Sequence, residues 1–271
     1  MTDPVHRPSA ALTHTVLATG LVDADRLAAW RADPGQLAGI GVDPSTMDLD
    51  ALTDFAGLSE KVRHNQCRHD LQQTFRLLVL TGLEIALFRE YTPVSLRRRR
   101  AGLNSTPDRI AGLTEFVEGW APDDDPERTL IRDVLGHEHT VVELRRAGLT
   151  RPPDTVAERP SGKAVPLHNG RIVVRSSTCD PRQVGLVLKT REPDLARIER
   201  GTWTLVYRRG FDGSLAMFEV DSGVGELLLA VDGETTVGDL ATRLRVPPAQ
   251  LTTALDRLTE AGLLLWFTSG D

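Results

Sequence analysis

The stretch "RHNQCRH" sets His64, Cys67 and His69 close together in the chain. Imidazole and thiolate groups are the side chains a zinc ion takes, but they must converge tetrahedrally. On a helix His64 and Cys67 share a face at three residues' spacing, whereas His69 follows Cys67 by two and points elsewhere. A polar helix start is the plainer reading. "HEH" at 137–139 has the same defect and is not the HExxH of a zinc peptidase. No GxSxG elbow occurs, and no Cys–His pair is signalled locally. Asp133 and Glu138 are five apart, too far round a helix for paired acid–base work. Asp123, Asp124 and Asp125 read as a solubilising turn, not a cation site. Arg97–Arg100 in "SLRRRRAG" could meet phosphate or an acidic partner surface, but a run this short reads first as a solvated face. The expectation is a chain with no catalytic group and no metal or cofactor of its own.

The bulk composition is ordinary for a soluble protein. At 271 residues the chain is long for one domain, and two are expected. It is 40% hydrophobic and 26% charged, enough apolar material for two modest cores. A formal charge of −6 argues against a dedicated nucleic-acid binder. Cys67 and Cys179 lie far apart and form no CxxC, which fits a reducing compartment. "MTDPVHRPSA" lacks the pattern of a signal peptide, and "LLLAV" and "LLLWF" are too short to cross a bilayer. A cytoplasmic protein with no membrane and no nucleic-acid partner is expected.

The elements that must position any site fall into two groups. Residues 10–56 read as short helices broken by Pro34, Gly35, Gly39, Gly41 and Pro44. "DLQQTFRLLVLTGLEIALFREY" has helical spacing through Leu71, Phe75, Leu78, Val79, Ile85 and Ala86, bounded downstream by Pro93. "TPDRIAGLTEFVEGW" follows, with Thr106 as its expected N-cap, then "PERTLIRDVLGHEHTVVELRRAG", stopped at Gly148. Residues 1–150 therefore form a helical domain. The Pro- and Gly-rich 151–169 read as a linker. In 170–271, "RIVVR", "QVGLVLK", "TWTLVYRR" and "SLAMFEV" read as strands, the last two joined by a hairpin at Asp212-Gly213. Three short helices follow, through Val224–Val231, Val237–Leu244 and Leu251–Leu258, and "LLLWF" closes as a strand. The fold class is α+β: an all-helical N-terminal domain, then a winged-helix-like domain with an antiparallel sheet and three helices.

"FEVDSGVGELLLAVDGETTVGDLATRL" and "LTTALDRLTEAGLL" resemble the PqqD-like recognition element, which binds leader peptides of ribosomally made natural products. The resemblance spans roughly residues 200–267. The helical half is similar in order and spacing to the partner proteins of multinuclear non-haem iron-dependent oxidative enzymes, through Arg63, Asn65, Leu71, Tyr91, Phe116, Asp133 and Glu138. "RHNQCRH" is more polar than that pattern, and "RRRRAG" has no counterpart in it. The resemblance implies a heterodimer with an iron enzyme that carries the metal, while this chain presents the precursor peptide.

By the same resemblance the peptide adds as a strand beside Leu215, Ala216, Met217, Phe218, Glu219 and Val220. It lies in a groove against Gln250, Leu251, Ala254, Leu255, Arg257 and Leu258. Main-chain hydrogen bonds would set its register and side-chain pockets its specificity. Strand residues alternate in direction, so only one of the two sets on the strand can face the peptide. Met217 suits a tolerant pocket, and Arg257 an acidic leader residue; Leu251, Leu255 and Leu258 read more simply as core. The competing reading is a winged-helix transcriptional regulator with a helical dimerisation or ligand domain. Its recognition helix would be "PPAQLTTALDRLTEAG", which has one arginine, no lysine, and both Asp256 and Glu260. That is poor chemistry for phosphate contacts.

Overall fold

The computed structural model describes residues 10–148 and 164–268. The chain divides into two compact units, Met1–Leu135 and Gly136–Asp271. Helices dominate the first: α1 (Ala10–Val22), α2 (Ala24–Ala32), α3 (Gly35–Gly39), α4 (Leu49–His64), α5 (Gln72–Thr81), α6 (Glu84–Arg100), α7 (Thr106–Trp120) and the start of α8 (Pro126–Arg146). The division falls within α8. The second unit holds β1 (Ala164–His168), β2 (Arg171–Ser177), α9 (Pro181–Lys189), β3 (Trp203–Arg209), β4 (Leu215–Val220), α10 (Ser222–Ala230), α11 (Val237–Leu244), α12 (Pro248–Glu260) and β5 (Leu264–Thr268). The α+β class and its order, helices before sheets, are as the sequence suggests.

Helix α4 lies along α6 so closely that a Cβ on Gly57 would sit 2.8 Å from the Arg89 Cα. A first apolar cluster gathers Val16, Leu27, Trp30, Leu37, Val42, Leu52 and Ala56. Deeper side chains, including Phe75, Phe88, Tyr91, Ile110, Leu113 and Ile131, are almost wholly buried. The long helix expected over Leu71–Tyr91 is in fact two. Gly82 takes a left-handed φ of 70° and ends α5, and α6 then runs through Pro93 to Arg100. The missing N–H of Pro93 removes one bond to Arg89 without stopping the helix. At α7 the cap is Ser105, not Thr106: its hydroxyl accepts from the Asp108 N–H, and Asp108 answers to the Ser105 N–H.

In the second unit β2, β3 and β4 form an antiparallel meander with β3 central, and β1 pairs antiparallel with β5. The meander has two covered faces. On one, Val141 and Leu144 of α8 pack with Val173, Trp203, Leu205, Tyr207 and Met217. On the other, Val206 joins Leu227, Leu228, Leu240, Leu251, Leu255, Leu258 and Trp266, with Phe218 and Val220 at the margin. Gly225 permits this second contact, since a Cβ there would meet Thr204 Cγ2 at 2.6 Å.

Three expectations fail here. "QVGLVLK" belongs to helix α9: Asp180 caps it, Pro181 opens it, and Val184 and Leu188 bury one face. Its β-branched residues match a strand, but their spacing serves an amphipathic turn. The stretch read as a linker, 151–169, is described only from Ala164 on, and there it forms β1, whose Pro166 pairs with Trp266. Likewise, residues 136–148 belong with the sheet and not with the helical unit to which the sequence assigned them.

Candidate functional site

β4 is an edge strand among the described residues: it pairs with β3 from Thr204↔Val220 to Arg209↔Leu215 and with no strand on its other side. Its outward main-chain groups therefore have no ladder partner. The hairpin that delivers it is fixed by Asp212, which accepts from the Ser214 N–H and hydroxyl, and by Gly213 at φ 81°. At its far end Asp221 accepts from the Val224 N–H at 2.8 Å and starts α10 immediately.

The strand's alternation is resolved by what packs on it. Phe218 and Val220 reach the cluster that contains α12, and Ala216 shares their side of the strand. Met217 goes to the opposite face, under α8, with Leu215 and Glu219 on the same side. Glu219 is exposed and takes an ion pair from Arg182 of α9 at 3.2 Å. The residue suited to a pocket beside α12 is thus Phe218, whose ring carries the Arg208 guanidinium 5.9 Å from its centroid, and not Met217. The same Arg208 donates to the Gly262 carbonyl at the end of α12.

On α12, Leu251, Leu255 and Leu258 are buried in the core, while Gln250 and Arg257 are exposed and Ala254 is half-buried. Sequence spacing alone lists all six together; packing separates three core residues from the exposed Gln250 and Arg257, with Ala254 half-buried against the same cluster. Thr236 caps α11 through the Asp239 N–H, and Asp232 accepts from the Glu234 and Thr235 N–H groups to turn the chain between α10 and α11.

In the helical unit the polar residues singled out by sequence are distributed otherwise. His64 ends α4 and Cys67 lies in the following 3-10 turn, both buried, whereas His69 is exposed; the three do not converge. His64 Nδ1 lies 3.2 Å from a Glu60 carboxylate oxygen, and Ser95 of α6 donates to the same carboxylate at 2.5 Å. Arg63 adds a contact at 3.0 Å. Burial pushes the Glu60 pKa up, but the His64 and Ser95 hydrogen bonds and the charges of His64 and Arg63 outweigh it and hold the group at about 2. The carboxylate stands between imidazole and hydroxyl, so His64 is not placed to activate Ser95. Sequence reasoning missed this cluster. Its one local signal is Glu60 and His64 at four residues' spacing; Ser95 is 35 residues away.

Of the other residues, Tyr91 is buried with its ring 5.4 Å from His64 and 5.3 Å from Phe116. Burial pushes the Tyr91 phenol up. Asn65 accepts from Arg68 Nε, Leu71 is buried at the start of α5, and Asp133 lies 3.5 Å from Arg132. Asp123 pairs with Arg132 at 2.9 Å and Asp125 caps α8, so the acidic loop is engaged by its neighbours. In the second unit Glu138 is buried, and His137 lies 3.0 Å from the Tyr207 hydroxyl. Burial lowers the His137 pKa to about 4. Helix α4 also presents an exposed apolar stripe: Phe55, Leu58 and Val62 are 53%, 41% and 57% exposed at three- and four-residue spacing. Among the described residues no helix is long and apolar enough to cross a membrane, and no group of three or more His, Cys, Asp or Glu is placed to hold a metal.

No family model matches the chain, and no curated protein matches it.

Proposed function

We propose that this chain is a non-catalytic recognition subunit. It holds a ribosomally made precursor peptide as an added strand on β4 and presents it to an iron-dependent peptide-modifying oxidative enzyme, bound as a heterodimer. The single observation that carries the reading is the open edge of β4, delivered by a tight hairpin and followed directly by α10, α11 and α12. An extended peptide can satisfy that edge with main-chain bonds while one set of its side chains meets Phe218, Val220 and Ala216. Gln250 and Arg257 are the exposed residues of the six on the helix assigned to the groove, with Ala254 half-buried beside them, and Arg257 suits an acidic leader residue. The apolar stripe of α4 is the surface best suited to the enzyme, because contiguous exposed apolar side chains mark contact sites. In this reading the PqqD-like winged-helix module spans roughly residues 200–267, the protein acts in the cytoplasm, and iron belongs to the enzyme.

The test is retrieval by the tagged full chain from native lysate, with mass spectrometry on peptides and proteins retained, then hydrogen exchange on the reconstituted pair. A short peptide that protects β4 amides and is lost on Phe218→Asp, with an iron protein lost on Leu58→Glu, is the expected result. Retention of duplex DNA with no peptide would instead establish a transcriptional regulator.

A further inference from the structure

A cavity of about 380 Å³ lies inside the helical unit where α2, α4 and α6 meet. That volume falls within the range of small-molecule sites, roughly 300–1,000 Å³. Leu27, Ala56 and Thr92 are buried at its floor, while Ala28, Arg31, Arg89 and Glu90 are exposed at its rim. Ion pairs link each wall to the other two. Asp50 of α4 holds Arg31 of α2 at 2.7 Å, and Asp54 of α4 holds Arg89 of α6 at 3.3 Å. Arg97 and Arg100 of α6 reach Asp25 and Asp23 at the start of α2, at 3.5 and 3.6 Å. The run Arg97–Arg100 is thus drawn into contacts between helices and is not one solvated face.

The groups left over in this cavity are acceptors. The charges of Arg31 and Arg89 are met by their aspartates, whereas Glu90, the third charged residue of the lining, has no partner among the described residues. Thr53 and Thr92 donate their hydroxyl protons to the Leu49 and Phe88 carbonyls, each at 2.7 Å, so their oxygens remain as acceptors. Pro93 has no N–H to give the Arg89 carbonyl one turn before it, and both residues line the cavity. A main-chain carbonyl left out of the helix ladder needs a donor from elsewhere. A carboxylate, a carbonyl and two hydroxyl oxygens beside Leu27, Ala28 and Ala56 suit a cation that brings its own donors and an apolar body.

We propose that this cavity binds a primary ammonium group on a short apolar body, with the Glu90 carboxylate and the Arg89 carbonyl as its acceptors. An ammonium carries three donors and no acceptor, which matches that set. A carboxylate ligand would instead face Glu90 and two arginines that already have partners. The cavity shares no residue with β4 or with the apolar stripe of α4, so its occupancy does not depend on peptide recognition or enzyme docking.

The full chain, labelled with nitrogen-15, is titrated with 2-phenylethylamine, neutral 2-phenylethanol, 3-phenylpropanoate and a doubly capped lysine, while the amides of Ala28, Thr53 and Glu90 are followed. The expected result is a saturable shift of those amides with the amine, binding of the alcohol weaker by about tenfold or more, and no binding of the carboxylate. Glu90→Gln is expected to weaken the amine by about tenfold, the worth of one charged hydrogen bond, and to leave the melting temperature unchanged because no ion pair is lost. Pro93→Ala returns an N–H to the Arg89 carbonyl, so it is expected to raise the melting temperature and weaken the amine together. Tighter binding of the capped lysine than of the amine assigns the ammonium to a polypeptide side chain; weaker binding assigns it to a free amine, and either supports the site. Equal binding of amine and alcohol, no saturable shift with amine or lysine, or full amine affinity in Glu90→Gln overturns it. A more stable Pro93→Ala chain that still binds the amine at full strength overturns the role of the Arg89 carbonyl.

Discussion

The helical unit closes the contact between α4 and α6 over a carboxylate, an imidazole and a hydroxyl, whereas the cluster around Leu228 and Leu255 in the sheet unit is apolar throughout. Burying Glu60 with His64 is costly unless every charge is met, so the pair fixes one register of α4 on α6 more than it strengthens it. The aliphatic cluster works the other way. Leu228, Leu240 and Leu255 stabilise by area and shape, and tolerate change in proportion to the volume lost. The polar contact is thus brittle, and the apolar one graded.

That contrast can be broken most sharply at Glu60. Glu60→Ala leaves Arg63 without its carboxylate and His64 with only the Glu60 main-chain carbonyl at 3.0 Å, and is expected to destabilise by about 3–5 kcal/mol, read by urea unfolding followed through helical circular dichroism. Leu255→Ala, at a wholly buried position, is expected to cost about 2–5 kcal/mol. Leu255→Met should recover most of that, while Glu60→Gln should recover little of the loss at its own site. If the glutamine proves nearly neutral, the polar contact is no more brittle than the apolar one.

Acid titration separates the two units further. The folded-state pKa of His137 is about 4, against 6.5 for the unperturbed group. Its unfolded form binds protons first, so stability is lost as pH falls from 6.5 towards 4, by up to about 3 kcal/mol. His139 and His168, also in the sheet unit, are lowered by burial and act in the same direction. Glu60, held at about 2 against an ordinary 4.5, contributes stability present above 4.5 and lost as pH falls through 2. The sheet unit should therefore weaken first on acidification. Variants that keep only Trp266 or only Trp30 as a fluorescence probe would show the order, and His137→Phe should flatten the upper window. The smallest effect is expected at Thr236→Ala, where loss of the cap on α11 costs about 1 kcal/mol in thermal unfolding.

How far these features were legible depends on how local their causes are. Helix α7 is readable because Ile110, Leu113 and Val117 repeat within it, and the hairpin before β4 because Asp212-Gly213 specifies its own turn. Helix α9 reads as a strand because Val184, Leu186, Val187 and Leu188 look like one until Asp180 and Pro181 are recognised as a helix start. β1 has no local signal, because its partner, β5, lies about a hundred residues further on. The same holds for the candidate site. The strand could be named from sequence, but whether Met217 or Phe218 faces α12 depends on Leu144 and Val141 arriving from α8 on the other side. The Glu60 cluster joins α4 to α6, and only the Glu60–His64 spacing is local enough to read.

The pairing of β1 with β5 has a mechanical consequence. Ala164, where β1 begins, stands opposite Thr268, where β5 ends. Tension applied at those two positions would load the ladder one rung at a time, because antiparallel bonds lie perpendicular to the strands. The clasp should peel open at low force like a zipper, whereas pulling from Ala164 against His168's partner Leu264 would have to shear several rungs together.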